Sequence, residues 1–444
     1  MTEEPLETVH RLRAKIDAGS NDFQDFRNLG SLFFKLGQYQ ECPALFEKAR
    51  DLSRRNLDKA KTSIDLGWNN FWSENYNQAR QLAEDALKYL RAEIDSPEVF
   101  AWRGAAQNIV VHCEWVHDRA AGKWLLESDA AKEAACQALN YLTQVPFNCV
   151  PFEEKAAAFY DAATIHNLLD NNDESLVQAE RCLEISCDDW ERASCLTIIA
   201  VALREAGRLQ EAQTKIEEAL VHAKEWKVLL PKLLLEKGLV QRFTNRPKDA
   251  QQTFGQALLL IESALSHTHF LHLGAELYAN LGAVCYEIGD IRGASEAYRS
   301  VLIDLPETDP YYLTGKVWLG RCLESSGDTE GARACFMEAL NLRPNHENRL
   351  TALEGLARLS YKDREYGKAA ELFEQLLRLL GKTDPRWISA RLWGASCYEG
   401  LGNLRVAQDG YEAVLTSEKS TEVDKRWASE GLQRLIPPTG HKYH

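Results

Sequence analysis

Small and apolar residues recur along the chain in a spacing that predicts paired helices. Between Tyr278 and Pro344 the same pattern occurs twice. Each copy has Leu-Gly, a second glycine seven residues later, and then a small, an aromatic and a small residue before a closing proline. Spacings of three and four residues place side chains on one face of a helix. The pattern therefore predicts a unit of two packed helices joined by a tight turn.

The residue types at these positions explain how two such helices pack. Small residues let the paired helices approach, and the aromatic residue fills the space between one unit and the next. The second glycine favours the left-handed conformation that ends a helix, and the proline stops the following helix. The six positions are Gly282, Gly289, Ala294, Tyr298, Val301 and Pro306 in the first copy, and Gly320, Gly327, Ala332, Phe336, Ala339 and Pro344 in the second.

This arrangement resembles the tetratricopeptide repeat. The same frame continues along the chain to ten repeats, mostly spaced by 37 or 38 residues. Their closing small positions are Ala49, Ala86, Ala138, Cys182, Ala219, Ala257, Val301, Ala339, Leu376 and Val414. The resemblance implies an all-α fold, a right-handed α-α superhelical solenoid, because one repeat cannot bury its apolar face alone.

The solenoid is expected to cover residues 22–416. We expect a leading helix within 1–21, a capping helix within 417–436 and a disordered tail at 437–444. The third repeat, 97–145, departs from the pattern, and we expect its first helix to reach Arg119 before a longer connection around Gly122. Such an irregularity marks either a functional face or bend, or simple drift between two ordinary halves.

Composition narrows the class of partner and the compartment. A net charge of −14 argues against nonspecific binding of nucleic acid or anionic membranes by the whole surface. The charged N-terminus lacks a signal peptide's apolar core, and no apolar run is long enough to span a membrane. Cys42, Cys182 and Cys285 fall at small or buried packing positions, and the cysteine count of 11 is odd. These features favour a reducing compartment, hence the cytoplasm.

The sequence contains no motif that indicates catalysis. Phosphate-binding glycine loops, serine-nucleophile elbows and zinc-protease helices are all missing from the sequence. His267, His269 and His272 form the only histidine cluster, and a metal site also needs a third ligand and an ordered second shell. We therefore favour a polar loop between repeats at this cluster and expect no enzyme, metal or cofactor.

The resemblance also implies where a partner binds. In this family the first helix of every repeat lines a concave groove that holds peptides or partner helices. The residues that this places in the groove are Arg27, Asn28, Trp68, Phe71, Trp72, Trp102, Asn108, Tyr160, Asn167, Arg204 and Arg242, with Phe34, His112, Asp161, Trp318, Arg321 and Arg358 beside them. Amides pair with a peptide backbone, aromatic rings cover apolar side chains, and arginine holds carboxylates. Phe34 and Phe71 also fit a core role.

These observations predict a cytoplasmic scaffold or adaptor that binds a protein or peptide in its groove without catalysis. Two alternatives remain open. The first is a peptide-sensing regulator, which must act on a separate partner chain because residues 1–20 are too short for a DNA-binding domain. The second is a structural subunit of a larger complex, which would use the convex face or the solenoid ends.

Overall fold

The computed structural model describes residues 5–120, 125–149, 152, 154–186, 188–264, 271–307, 309–342, 347–381 and 384–436. These residues form 22 helices and no strand, which confirms the predicted all-α class. In this part of the chain no helix is both long and apolar enough to cross a bilayer. The helices are α1 (Pro5–Asp17), α2 (Phe23–Lys35), α3 (Cys42–Leu52), α4 (Asn56–Trp72), α5 (Tyr76–Arg91), α6 (Pro97–Ala120), α7 (Asp129–Leu142), α8 (Lys155–Leu168), α9 (Asn172–Ile185), α10 (Asp189–Glu205), α11 (Leu209–His222), α12 (Leu230–Phe243), α13 (Pro247–Ala264), α14 (Leu271–Glu287), α15 (Ile291–Asp304), α16 (Pro310–Ser326), α17 (Thr329–Leu342), α18 (Glu347–Lys362), α19 (Tyr366–Leu379), α20 (Arg386–Gly400), α21 (Leu404–Leu415) and α22 (Glu422–Leu435).

The helices divide into two compact units, Met1–Gly289 (unit 1) and Asp290–His444 (unit 2). Within each unit every helix packs on its neighbour in the chain. The first helix of a pair also contacts the first helix of the next pair, as α4 does with α6 and α16 does with α18. This is the packing of helical repeats, in which each repeat contacts mainly its neighbours.

A glycine facing an aromatic ring sets the close approach of the two helices in a repeat. A Cβ atom at Gly320 would lie 2.7 Å from Cε1 of Phe336, and one at Gly30 would lie 2.6 Å from Cε1 of Phe46. Both rings are fully buried. Any side chain at these glycines would displace the ring, which confirms the packing role expected for the Leu-Gly position.

Left-handed residues end the first helices, as the second glycine of the pattern predicts. Gly327 caps α16 with φ 88° and ψ 1°, and its N–H donates to carbonyls of the last turn. Gly289 has a φ of 83°. In other repeats the left-handed residue at this turn is not glycine but Glu74, Asp170, Asn245 or Arg364. Repeats without the glycine therefore keep the turn, although a left-handed backbone is unfavourable for these residues.

The irregular third repeat begins with a long helix, α6. The segment that leads from α6 into α7 is hydrogen-bonded back to α6. Helix α6 has 24 residues and ends at Ala120, one residue beyond the predicted Arg119. The carboxylate of Asp118 accepts hydrogen bonds from the backbone N–H groups of Glu127 and Ser128, at 2.8 and 2.9 Å. This holds the chain as it enters α7. The predicted connection at Gly122 lies outside the described residues.

One pair of cysteines is bonded as well as buried. Cys182 is buried at the small position of α9, and its sulfur is bonded to that of Cys195 on α10. Their Cα atoms lie 6.3 Å apart. Cys182 therefore takes the buried small position expected for it, and it is also bonded to Cys195. Disulfides are found mostly in oxidising compartments, so the cytoplasmic location stays a proposal.

Single helices cover both described ends of the chain. Helix α1 lies within the predicted leading segment and buries Val9 and Leu12. Helix α22 lies within the predicted capping segment and begins with a capping box, in which Thr421 and Asp424 each bond the other's backbone N–H. It buries Ala428 in the last core cluster. The tail predicted to be disordered lies outside the described residues.

Replacing Ala332 by leucine is expected to lower the free energy of unfolding by roughly 1–3 kcal/mol, because the added atoms overpack a filled helix pair. Ala332 is fully buried in α17. The matched control is Ala334→Leu in the same helix, where the side chain is exposed and the expected change is within about 0.5 kcal/mol. Urea unfolding followed by circular dichroism measures both. Equal effects would contradict the repeat frame in α17.

Candidate functional site

Side chains of consecutive first helices in unit 1 contact each other in a row that we call the inter-repeat ladder. Its first part is aromatic and amide. The Trp68 ring of α4 packs edge-on against the His112 ring of α6, with centroids 5.1 Å apart. Asn108 Nδ2, one turn before His112, donates to Asp161 Oδ1 of α8 at 3.0 Å. Predicted groove residues of repeats two, three and four therefore do lie side by side.

The second part of the ladder is charged. Arg204 Nε of α10 donates to Glu236 Oε2 of α12 at 2.7 Å. Arg242 of α12 contacts Glu287 Oε1 of α14 through Nη2 at 2.6 Å and Nε at 2.9 Å. The predicted arginines are therefore paired with acids of the next first helix. Such pairs fix the offset between repeats and occupy the guanidinium groups.

Unit 2 has the same kind of ladder. Arg321 Nη2 of α16 donates to Glu354 Oε2 of α18 at 3.3 Å. In the opposite direction, Arg358 Nη2 of α18 donates to Glu324 Oε2 of α16 at 2.6 Å. These two contacts join residues 33 and 34 positions apart, close to one repeat length. Opposite charges about one repeat apart are the sequence signal that identifies these acids, which were not among the predicted groove residues.

Arg27 joins several first helices through one buried guanidinium. Its Nε lies 2.6 Å from Asp65 Oδ2 of α4, and its Nη2 lies 3.2 Å from Glu154 Oε1, just before α8. The guanidinium carbon stands 5.2 Å from the ring centroid of Trp102 on α6. Arg27 is 5% exposed. This predicted groove residue is therefore a structural centre of unit 1.

Helix α2 also reaches the start of α10. Lys35 Nζ lies 3.2 Å from Oδ2 of Asp188, which is the N-cap residue of α10. The same ammonium stands 5.8 Å from the ring centroid of Trp190. Both side chains of the ion pair are partly exposed. The first repeat therefore contacts the fourth and fifth repeats as well as its neighbour in the chain.

The predicted groove residues differ in how much surface remains for a partner. Four are buried, five are half-buried and two are exposed. The buried ones are Arg27, Phe71, Trp102 and Asn108; the half-buried ones are Trp68, Tyr160, Asn167, Arg204 and Arg242; and the exposed ones are Asn28 and Trp72. The side chains of the buried group contact the chain's own residues, and Phe71 takes the core role that its position also allowed.

Rings of α4 and of the first residue of α5 form a rigid aromatic group that reaches the surface. The buried Phe71 packs edge-on against Trp68, Trp72 and Tyr76, with centroids 5.7, 5.8 and 5.3 Å away. Trp72 keeps 41% of its surface exposed. Aromatic side chains held by such contacts bring a large apolar area to a surface with little remaining rotamer freedom. Through Trp72, this group brings aromatic surface of the predicted groove set to solvent.

The histidine cluster is described only in part. His267 and His269 lie outside the described residues, so the polar loop expected there stays a prediction. His272 lies in α14, and within the described residues no three histidine, cysteine or acidic side chains are grouped as metal ligands.

Comparison with known proteins identifies the repeat type. Residues 26–92 and 312–382 match the family model described as "Tetratricopeptide repeat". No curated protein matches the chain. The apo form of the quorum sensor NprR from B. thuringiensis is similar in fold, with 12% identity, a TM-score of 0.55 and coverage of 81% of this chain and 98% of that one.

Two other solved structures are less similar. A Rap protein complexed with Competence and Sporulation Factor has 15% identity and a TM-score of 0.48, over 81% of this chain and 98% of that one. A monomeric mutant of IFIT1 with m7Gppp-AAAA has 16% identity and a TM-score of 0.47, over 91% and 93%. The matched segments span α2–α5 and α16–α19 and agree with the helix pairs seen there, so these two parts of the chain are tetratricopeptide repeats.

Proposed function

We propose that the chain is a cytoplasmic, non-catalytic scaffold that binds a protein or peptide along the first helices of unit 1. The observation that carries this proposal is the exposed ring of Trp72, held edge-on by Phe71 beside the half-buried Trp68. Exposed aromatic surface on a protein this polar indicates an interaction site, and aromatic anchors supply much of the energy of protein interfaces. Repeats of this family support an interaction scaffold in general.

The charges of the ladder favour a protein partner over nucleic acid. Arg204 and Arg242 are each paired with an acid of the next first helix, and the net charge of the chain is −14. Nucleic-acid binding depends on lysine and arginine groups that neutralise phosphates. Guanidinium groups that are already paired with carboxylates have little positive charge left to attract phosphates.

The thiols support the proposed compartment. Eight cysteines of the described residues are free, and most of them are buried. Free thiols in this number are typical of reducing conditions, and the bonded Cys182–Cys195 pair is the one observation that points the other way.

A peptide-sensing regulator that acts on a separate chain is the second candidate. Its support is the fold likeness to NprR, which is described as a quorum sensor. The two candidates differ in the response to a bound peptide. A sensor changes the contacts between its repeats when the peptide binds, whereas a scaffold keeps them. Small-angle scattering with and without the captured peptide distinguishes the two.

Trp72→Ala is expected to weaken binding of the native partner by more than about 1 kcal/mol while the fold stays intact. Tagged protein is used to capture partners from the native cell, and the bound species are identified and quantified by mass spectrometry. Trp68→Ala is expected to reduce capture in the same way.

The matched control is Trp427→Ala on α22, where a tryptophan 46% exposed lies outside the proposed surface. It should leave capture unchanged. Loss of the partner with Trp427→Ala but not with Trp72→Ala would place binding on the last repeats and overturn the proposal.

A further inference from the structure

Asp161 differs from the other acids of the inter-repeat ladder in the charge of its partner. Glu236 and Glu287 each contact an arginine of the preceding first helix. Asp161 instead accepts one hydrogen bond from the neutral amide of Asn108, at 3.0 Å. Within the described residues no cation lies within ion-pair distance of its carboxyl group. Asp161 is nevertheless only 9% exposed.

The position makes this carboxyl group costly to ionise. Burial raises the pKa of Asp161 to about 7, and the hydrogen bond from Asn108 offsets only part of that effect. A buried carboxylate is unfavourable unless a cation approaches it. A ligand that brings a positive charge would therefore gain more from Asp161 than a neutral ligand would.

Asn108 places a second acceptor beside this carboxyl group. Its Nδ2 donates to Asp161, while its Oδ1 accepts no hydrogen bond from a described residue. The residue is 2% exposed. Buried carbonyl oxygens almost always have a donor. The Oδ1 atom of Asn108 is thus a further group that a donor-rich ligand can satisfy.

His112 adds a third acceptor one turn along α6. Its Nδ1 lies 3.0 Å from the carbonyl oxygen of Asn108. Burial lowers the pKa of His112 to about 4, helped by the charge of Lys232 on α12, so the ring is neutral near pH 7. A carbonyl only accepts, so Nδ1 carries the proton and Nε2 is left as an acceptor. The half-buried Trp68 ring packs edge-on against this ring.

We propose that Asp161 and Asn108, with His112 beside them, form a subsite for a positively charged, hydrogen-bond-donating group of the bound peptide. The group is an ammonium or a guanidinium, from the peptide's N-terminus or from a basic side chain. This inference rests on the proposed peptide-binding function. It adds that the surface selects its ligand by charge at one position, where the buried Asp161 carboxyl group is bonded to the amide of Asn108 and the ladder lacks the arginine found at its other acids.

The test uses the full-length protein and a library of random hexapeptides, made once with free and once with acetylated N-termini. Peptides retained with the protein after size-exclusion chromatography are sequenced by mass spectrometry. The wild-type protein is expected to enrich peptides that carry a basic residue or a free N-terminus. Asp161→Asn keeps the shape and the contact to Asn108 but removes the charge, and it should reduce that enrichment about tenfold while total retention persists.

The matched control is Asp170→Asn, which removes one negative charge from an exposed position and should leave the enrichment unchanged. If the Asp161-dependent preference disappears on acetylation, the recognised group is the N-terminal ammonium; if it persists, it is a basic side chain. Retention without a preference for cationic peptides, or a preference that Asp161→Asn leaves intact, overturns this inference alone. No retention of any peptide by the wild-type protein overturns both the inference and the proposed peptide-binding function.

Discussion

Replacing Phe336 by alanine is expected to lower the free energy of unfolding by about 3–5 kcal/mol. The ring is fully buried in unit 2 and stands between Gly320 on α16 and Gly355 on α18. A Cβ atom at either glycine would collide with it. Because glycine has no side chain that can fill the space left by the ring, the cavity remains open, and its cost adds to the lost burial.

Met337→Ala is the matched control for this change, since Met337 is the next residue in α17 and is 48% exposed. We expect it to change the free energy of unfolding by less than about 1 kcal/mol. Chemical unfolding of both variants, followed by circular dichroism, provides the comparison. A cost for Phe336→Ala no greater than that for Met337→Ala would contradict the role of the ring as the filler between repeats.

Replacing Arg27 by methionine is expected to destabilise unit 1 by about 3–5 kcal/mol. The Arg27 side chain is 6% exposed, and methionine keeps its apolar stem but removes the guanidinium that pairs with Asp65 and Glu154. Both carboxylates then lose that cation while they stay largely shielded from water. Removing one partner of a buried charge network costs more than the network contributes in total, because the remaining charges are uncompensated.

Lys35→Met is the contrasting change on the same helix. The Lys35–Asp188 pair has side-chain exposures of 29% and 43%, and exposed pairs contribute about 0–1 kcal/mol. Salt should weaken the Lys35 pair and leave the cost of Arg27→Met nearly unchanged, because buried pairs are screened much less. Equal costs for the two variants at low and high salt would contradict the buried network.

The packing of each repeat could be predicted from the sequence because it depends on local spacing. In the pair Gly320–Phe336, the ring lies 16 positions after the glycine that it covers. That distance is set by two helices and one turn, so periodicity alone places the two residues together. The left-handed turn at Gly327 follows from the same local geometry.

The contacts between repeats were harder to predict. The repeat frame placed Arg204 and Arg242 correctly on first helices, but it could not show that Glu236 and Glu287 already pair with them. Pairing across repeats depends on the offset between neighbouring first helices. That offset results from all the packing residues together, and no local spacing encodes it.

Contacts between distant repeats had no signal in the sequence at all. Arg27 and Glu154 are 127 positions apart, yet their side chains lie 3.2 Å from each other. The contact between Lys35 and Asp188, which are 153 positions apart, depends in the same way on how α2 meets the start of α10. Both contacts belong to the packing of whole repeats, which is why the predicted groove set contains residues that the chain itself buries.

Hydrogen–deuterium exchange on the complex with the captured partner tests the central claim most directly. The claim is that the first helices of unit 1 hold the partner. We expect slower exchange on binding in α4, α6, α8 and α10, centred on the aromatic group at Trp68 and Trp72, with the second helices α5, α7 and α9 unchanged. Protection confined to the second helices, or to the last repeats around α20–α22, would contradict it.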